Sequence, residues 1–228
     1  MFVPLKDDNP LRLIRFQYVV LAVIAVNVVI FLITGPLMGD EALLWIETGF
    51  GVVPSELLDL QRAANPIFNP VSEPLTLITY QFLHGSWLHL LANMAFLWVF
   101  ADNVEDVFGH FGFALFYFMC GIVAALTHVY MLPNSHEPLI GASGAVSGVL
   151  AAYLLLYPRA RVWILLFFYI PFRIPAWIVL GGWIILQVAS LNATEPDAQA
   201  VAWWAHIGGF AVGLVFTLVL RSPLMVRN

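Results

Sequence analysis

Apolar residues along this chain fall in long blocks separated by short polar stretches, and those blocks set the predicted elements. Phe16 to Gly35 is broken only by isolated polar residues such as Asn27, and is long enough for a transmembrane helix of roughly 20 residues. A second block runs from Trp87 to Ala101 and a third from Phe111 to Leu132, with the acidic turn Asp102 to Asp106 between them. Ser143 to Tyr157, Pro175 to Ala189 and Trp204 to Leu220 are the fourth, fifth and sixth. The pattern predicts an all-α membrane protein of six spans. The fourth span is short for a bilayer crossing, so Ser143 is expected below the membrane surface, at the foot of a water-filled depression.

Two stretches fit the pattern less simply. Pro36 to Leu83 is too long for an ordinary turn and carries apolar clusters such as Leu43-Leu44-Trp45-Ile46. It is expected to be partly helical and to lie on the membrane surface. Trp163 to Ile170 is strongly apolar but short, and it is bracketed by Arg159, Arg161 and Arg173. It reads as an interfacial segment.

Composition agrees with a polytopic membrane protein: 61% of residues are hydrophobic and 10% charged, where soluble domains carry about 25% charged residues. Charge placement orients the spans. With a cytoplasmic N-terminus, Lys6, Arg12, Arg15, Arg159, Arg161, Arg173, Arg221 and Arg227 fall inside and Arg62 alone outside, as the positive-inside rule requires. Both termini are then cytoplasmic and Ser143 lies toward the outer face. The predicted divisions are a cytoplasmic segment (1–15), a six-span domain (16–220) and a cytoplasmic tail (221–228). No basic tract resembles a nucleic-acid footprint, and the single cysteine, Cys120, offers no disulfide framework. The first apolar run reads as a signal anchor, and the chain reads as a protein of a bacterial cytoplasmic (inner) membrane.

Polar and ionisable groups within spans are costly and are functional candidates by default. Ser143 opens the fourth span within Gly141-Ala142-Ser143-Gly144, where free N–H groups and the helix dipole favour a developing oxyanion. His206 lies at the outer end of the sixth span, at the same predicted depth, and histidine is the common base for a serine nucleophile. No carboxylate lies within either span to orient it, so the pattern favours a dyad over a triad. His89 and Asn93 share one helical face in the second span and could donate to an oxyanion. His84 reads as a structural hydrogen-bonding residue at the helix entry. Gly209 and Gly213 form a small-residue face suited to contact with the fourth span. A His84, His89 and His206 metal site lacks the His-Glu-x-x-His pattern, so no metal is expected. A serine in a Gly/Ala-rich membrane helix is most often a packing residue, and a histidine at an interface is most often an anchor. These residues alone leave a serine hydrolase and a packing role both open.

Taken together, His84-x4-His89-x3-Asn93, Gly141-Ala142-Ser143-Gly144 and Ala205-His206-x-x-Gly209-x-x-x-Gly213, with Glu105 and Gly109 after the second span, resemble the rhomboid family of intramembrane serine proteases. The match covers about Pro74 to Leu220. The resemblance implies a six-helix bundle with a short central fourth helix and a Ser143–His206 dyad. It implies an oxyanion hole from the Ser143 N–H, His89 and Asn93, and supporting roles for His84, Gly141, Gly144 and Gly209. It also implies transmembrane helices of other proteins as substrates in the lipid bilayer, the fifth span with its following loop as a substrate gate, and no cofactor. Ser147 stands where some members have an aromatic residue packed on the histidine, with Trp203 or Trp204 as substitutes. Leu75-Thr76 replaces a Trp-Arg pair, and Ala101 stands at the family's usual glycine. The competing class is a catalytically inactive relative that binds membrane helices as a chaperone, against which the retained Ser and His argue. A transporter would require inverted repeats or mid-membrane charges, and neither is visible. Nothing in the sequence sets the oligomeric state.

Overall fold

The computed structural model describes residues 2–35, 38–57, 70–166, 169–193 and 202–220. Arg62, Arg221, Arg227, the 221–228 tail, residues 58–69 of the long connection and residues 194–201 before the sixth block lie outside the described residues.

The chain is mostly helical. Helix α1 (Tyr18–Thr34) is followed by three helices within the long connection, α2 (Asp40–Phe50), α3 (Pro54–Leu57) and α4 (Glu73–Thr79). Helix α5 (Trp87–Phe96) continues through a π-helical turn, Leu97–Ala101, into α6 (Asp102–Met131). Then come α7 (Ser143–Leu156), α8 (Ala176–Ala193) and α9 (Trp203–Leu220). Among the described residues, Trp87–Met131 and Trp203–Leu220 are long and apolar enough to cross a membrane, and Tyr18–Thr34, Ser143–Leu156 and Ala176–Leu191 are shorter apolar helices.

Helix α7 is the centre of the bundle. Every residue from Gly144 to Tyr153 is buried, because small residues let both neighbours approach. A Cβ at Gly209 would overlap the Gly144 carbonyl, and one at Gly213 would lie 2.6 Å from the Gly148 Cα. On the other side, Gly148 lies against the buried Cys120 of α6. The α7–α9 contacts are backbone-to-backbone approaches that only glycine permits.

Two expectations change here. Asp102 to Asp106 is helical rather than a turn, and the chain breaks direction at Gly109, whose φ of 70° is left-handed and suits glycine. The acids have a helical address because their carboxylates are used internally. Glu105 accepts from the N–H groups of Val19 (3.1 Å) and Val20 (2.8 Å), satisfying donors that α1 leaves free with no side-chain cap of its own. Asp106 accepts from the N–H groups of Arg12 (3.0 Å), Leu13 (2.7 Å) and Ile14 (2.7 Å).

The second change makes the fold more than all-α. The stretch read as interfacial holds two strands, β2 (Arg161–Leu166) and β3 (Ile170–Pro175), and the N-terminal segment supplies a third, β1 (Phe2–Asp7). They form an antiparallel sheet in the order β1-β2-β3, with a register irregularity between Pro4 and Lys6. Val162 and Ile164 are buried while Arg161 is exposed, a period-two pattern that belongs to a strand. Arg173 pairs with Asp8 (2.6 Å), and Tyr153 of α7 donates its hydroxyl to Asp7.

Candidate active site

Ser143 is the first residue of α7, so the first-turn N–H groups have no intrahelical partner and the positive end of the helix dipole points at it. His206, one turn into α9, is buried, and its Nε2 is 2.8 Å from Ser143 Oγ. Its Nδ1 is 2.7 Å from Oε1 of Gln187, a buried residue of α8. The Gln187 amide nitrogen points back to the Trp183 carbonyl at 3.4 Å. An amide oxygen only accepts, so Nδ1 carries the imidazole proton and Nε2 presents a lone pair to the serine hydroxyl. Trp183 and Trp203 flank the imidazole, with ring centroids 5.8 Å and 6.1 Å away. Ser147 instead donates its hydroxyl to the Ser143 carbonyl at 2.6 Å.

His89 and Asn93 converge on the backbone just before the serine. Gly141 adopts φ 114°, and a Cβ there would lie 2.6 Å from His89 Nε2 and 3.9 Å from Asn93 Nδ2. Glycine is required on both counts. Asn93 Nδ2 gives one proton to the His89 carbonyl (3.1 Å), which leaves its second N–H available. Ser86 caps α5 by accepting from the His89 N–H at 3.2 Å, which sets the start of that face. His84 is buried beside the site rather than reaching Ser143. It packs edge-on against His89 at 4.9 Å, supporting that ring by contact. Gly144 and Gly209 do not line the site; they let α9 come close enough for His206 to reach Ser143.

Ser143, His206, His89 and Asn93 share one cleft of about 1210 Å³, with Glu47 and His128 also on its wall. Burial raises the Glu47 carboxyl above its ordinary value. Among the described residues, no cluster of three or more His, Cys, Asp or Glu could hold a metal ion. Two residues beside His206 are not legible in the sequence pattern: Gln187 and Trp183 fall within an apolar block, though a lone amide inside a span is itself a signal.

Comparison with known proteins supplies the family. The Rhomboid domain family matches residues 71–223. The chain is similar to Rhomboid-like protein 11, chloroplastic, of Arabidopsis thaliana, 32% identical and covering 64% of this chain and 52% of that protein. It is also similar to the mitochondrial Presenilin-associated rhomboid-like protein of Bos taurus, at 27% identity over 66% of this chain and 39% of the relative. A third relative is Rhomboid protein 1, mitochondrial, of Saccharomyces cerevisiae, at 29% identity over 64% and 42%. The chain thus spans about half the length of the plant relative and about two fifths of the other two. These relatives overturn the expectation of a bacterial type in a bacterial cytoplasmic membrane, since they are proteins of chloroplasts and mitochondria. With a serine at a helix N-terminus, a histidine in contact with it and the family's domain matched over residues 71–223 of this chain, the chain belongs to the rhomboid family.

Proposed function

We propose that this protein is an intramembrane serine endopeptidase that cleaves transmembrane segments of other membrane proteins. The observation that carries the reading is the 2.8 Å contact between Ser143 Oγ and His206 Nε2 at the N-terminus of α7, facing an open cleft. In the proposed reaction Ser143 Oγ bonds to the scissile carbonyl carbon while its proton passes to His206 Nε2. The carbonyl oxygen becomes an oxyanion, stabilised by the Ser143 N–H and the side chains of His89 and Asn93. The C–N bond then breaks, His206 returns the proton to the leaving amine, and an acyl-enzyme remains. Water, deprotonated by His206 Nε2, attacks the ester carbon; the C–Oγ bond breaks and His206 returns the proton to Ser143 Oγ as the new carboxyl end departs. No cofactor takes part.

Within this reading the spans are α1, the α5 helix with its extension to Phe108, the part of α6 after Gly109, α7, α8 and α9. Residues 16–220 form the membrane domain, preceded by the 1–15 segment. The chloroplast and mitochondrial relatives support an organellar membrane as the site of action. Helix-breaking or small residues in the substrate would ease the local unwinding that exposes a peptide bond.

The test is cleavage of a model transmembrane substrate by purified protein in liposomes, beside Ser143→Ala and His206→Ala. Wild type should cleave and each variant should lose roughly 10³-fold or more in kcat. A fluorophosphonate probe should label wild-type Ser143 and not Ser143→Ala. Cleavage that survives Ser143→Ala would overturn the reading.

A further inference from the structure

From the geometry we infer that Gln187 is a positioning residue for His206, a third member of the catalytic group supplied by a different helix. This rests on the protease reading above. The imidazole has two ring nitrogens and only one can serve Ser143. Nε2 does so at 2.8 Å, and Nδ1 meets Gln187 Oε1 at 2.7 Å. The amide oxygen accepts the Nδ1 proton, which fixes the tautomer whose Nε2 lone pair takes the serine proton. After that transfer the imidazolium still donates through Nδ1 to the same oxygen, so ring orientation is kept through the reaction. In a serine triad a carboxylate does this work. Here a neutral amide oxygen does, at 2.7 Å from Nδ1.

Two further features support the assignment. Gln187 is buried and its amide nitrogen is turned toward the Trp183 carbonyl one turn earlier, which directs Oε1 to the histidine. Trp183, carried by the same helix, and Trp203 both lie against the imidazole, with ring centroids 5.8 Å and 6.1 Å away. Helix α8 buries Val179, Leu180 and Gln187 against the bundle, while a Cβ at Gly181 or Gly182 would meet nothing within 4 Å. Compare Gly209 and Gly213 of α9, which have no room at all against α7. The tautomer of His206 therefore depends on a residue that α8 supplies.

The experiment compares wild type, Gln187→Leu, Gln187→Glu and Ser143→Ala in liposomes with the model transmembrane substrate. It also records ¹⁵N spectra of histidine-labelled protein to read the His206 tautomer. Gln187→Leu should lower kcat by roughly 10- to 100-fold with KM changed less than about twofold. Gln187→Glu keeps an acceptor oxygen at the same reach and should recover most of kcat. The spectra should show the Nδ1–H tautomer in wild type and a mixture in Gln187→Leu. A Gln187→Leu kcat within about twofold of wild type would overturn the inference while leaving the Ser143 reading intact. Equal losses in the Leu and Glu variants with a raised KM would also overturn it, assigning Gln187 to substrate passage. If cleavage survived Ser143→Ala, the protease reading would fail instead, and an unchanged tautomer in Gln187→Leu would then sink the positioning role on its own terms.

Discussion

At the scale of single residues the site depends on directions rather than on residue types alone. Ser143 and His206 were legible because each opens an apolar block on the same predicted face, and their side chains meet at 2.8 Å. Gln187 was not legible as a partner, since nothing in its spacing relates it to a histidine on the following helix; only the packing of α8 against α9 joins them. His84 adds a contact that its place in the motif does not reveal: it is buried edge-on against the His89 ring. Asn93 offers the sharpest residue-level prediction. Its Nδ2 bonds only a carbonyl of its own helix, which already accepts in the helical ladder, so truncation leaves the fold intact. What it removes is a free N–H facing the backbone before Ser143. Asn93→Ala should therefore lower kcat by roughly 10²-fold, as loss of one oxyanion donor does, with little change in KM. Steady-state kinetics in liposomes reads this directly, and an unchanged kcat would remove Asn93 from the oxyanion hole.

At the scale of elements, glycine decides how close helices come. The Gly209 and Gly213 face was legible as a four-residue repeat of small residues, and both glycines lie against the α7 backbone. The 163–170 stretch was not legible as a strand. Its length and arginine flanks suggested an interface segment, and its partner is remote in sequence, at Phe2–Asp7. Likewise Asp102 to Asp106 looked like a turn because of its acids, yet those acids cap the start of α1 and hold the segment before it. The reversal falls to Gly109, where the backbone needs a left-handed φ. The element-scale prediction concerns Gly209→Val. The new side chain would strike the Gly144 carbonyl, backbone that cannot yield. Overpacking of this kind costs about 1–3 kcal/mol or more, and α9 must shift away from α7, carrying His206 with it. The expected result is lower thermal stability in detergent together with loss of fluorophosphonate labelling at Ser143. Gly181→Ala, at a position with open space, is the control and should change neither.

At the scale of the whole molecule, α7 is held at both ends by different means. Its first residue meets α9 and α8 through His206 and Gln187, and near its last turn Tyr153 donates to Asp7 of the sheet. The sheet in turn joins the chain's first residues to the connection between α7 and α8, with Arg173 paired to Asp8 across it. Asp7 is thus a tie between the N-terminal strand and the central helix, and its position has an electrostatic consequence. Burial raises its carboxyl above the ordinary value of 3.8, offset in part by the Tyr153 hydroxyl and reinforced by the neighbouring Asp8 charge; Asp102 also interacts with it. Below 3.8 the carboxyl is protonated in folded and unfolded chains alike, and no difference arises. Above 3.8 the unfolded chain loses the proton first, so the folded chain holds more protons and stability falls as pH rises. The fall ends once pH passes the raised folded value. Asp7→Asn keeps an oxygen to accept from Tyr153 and has no charge to desolvate. Thermal unfolding in detergent micelles, followed upward from pH 3.8, should show a decline for wild type that is shallower in Asp7→Asn. Equal slopes in the two proteins would mean that Asp7 ionises freely in the folded state and that the strand is tied to α7 by the hydrogen bond alone.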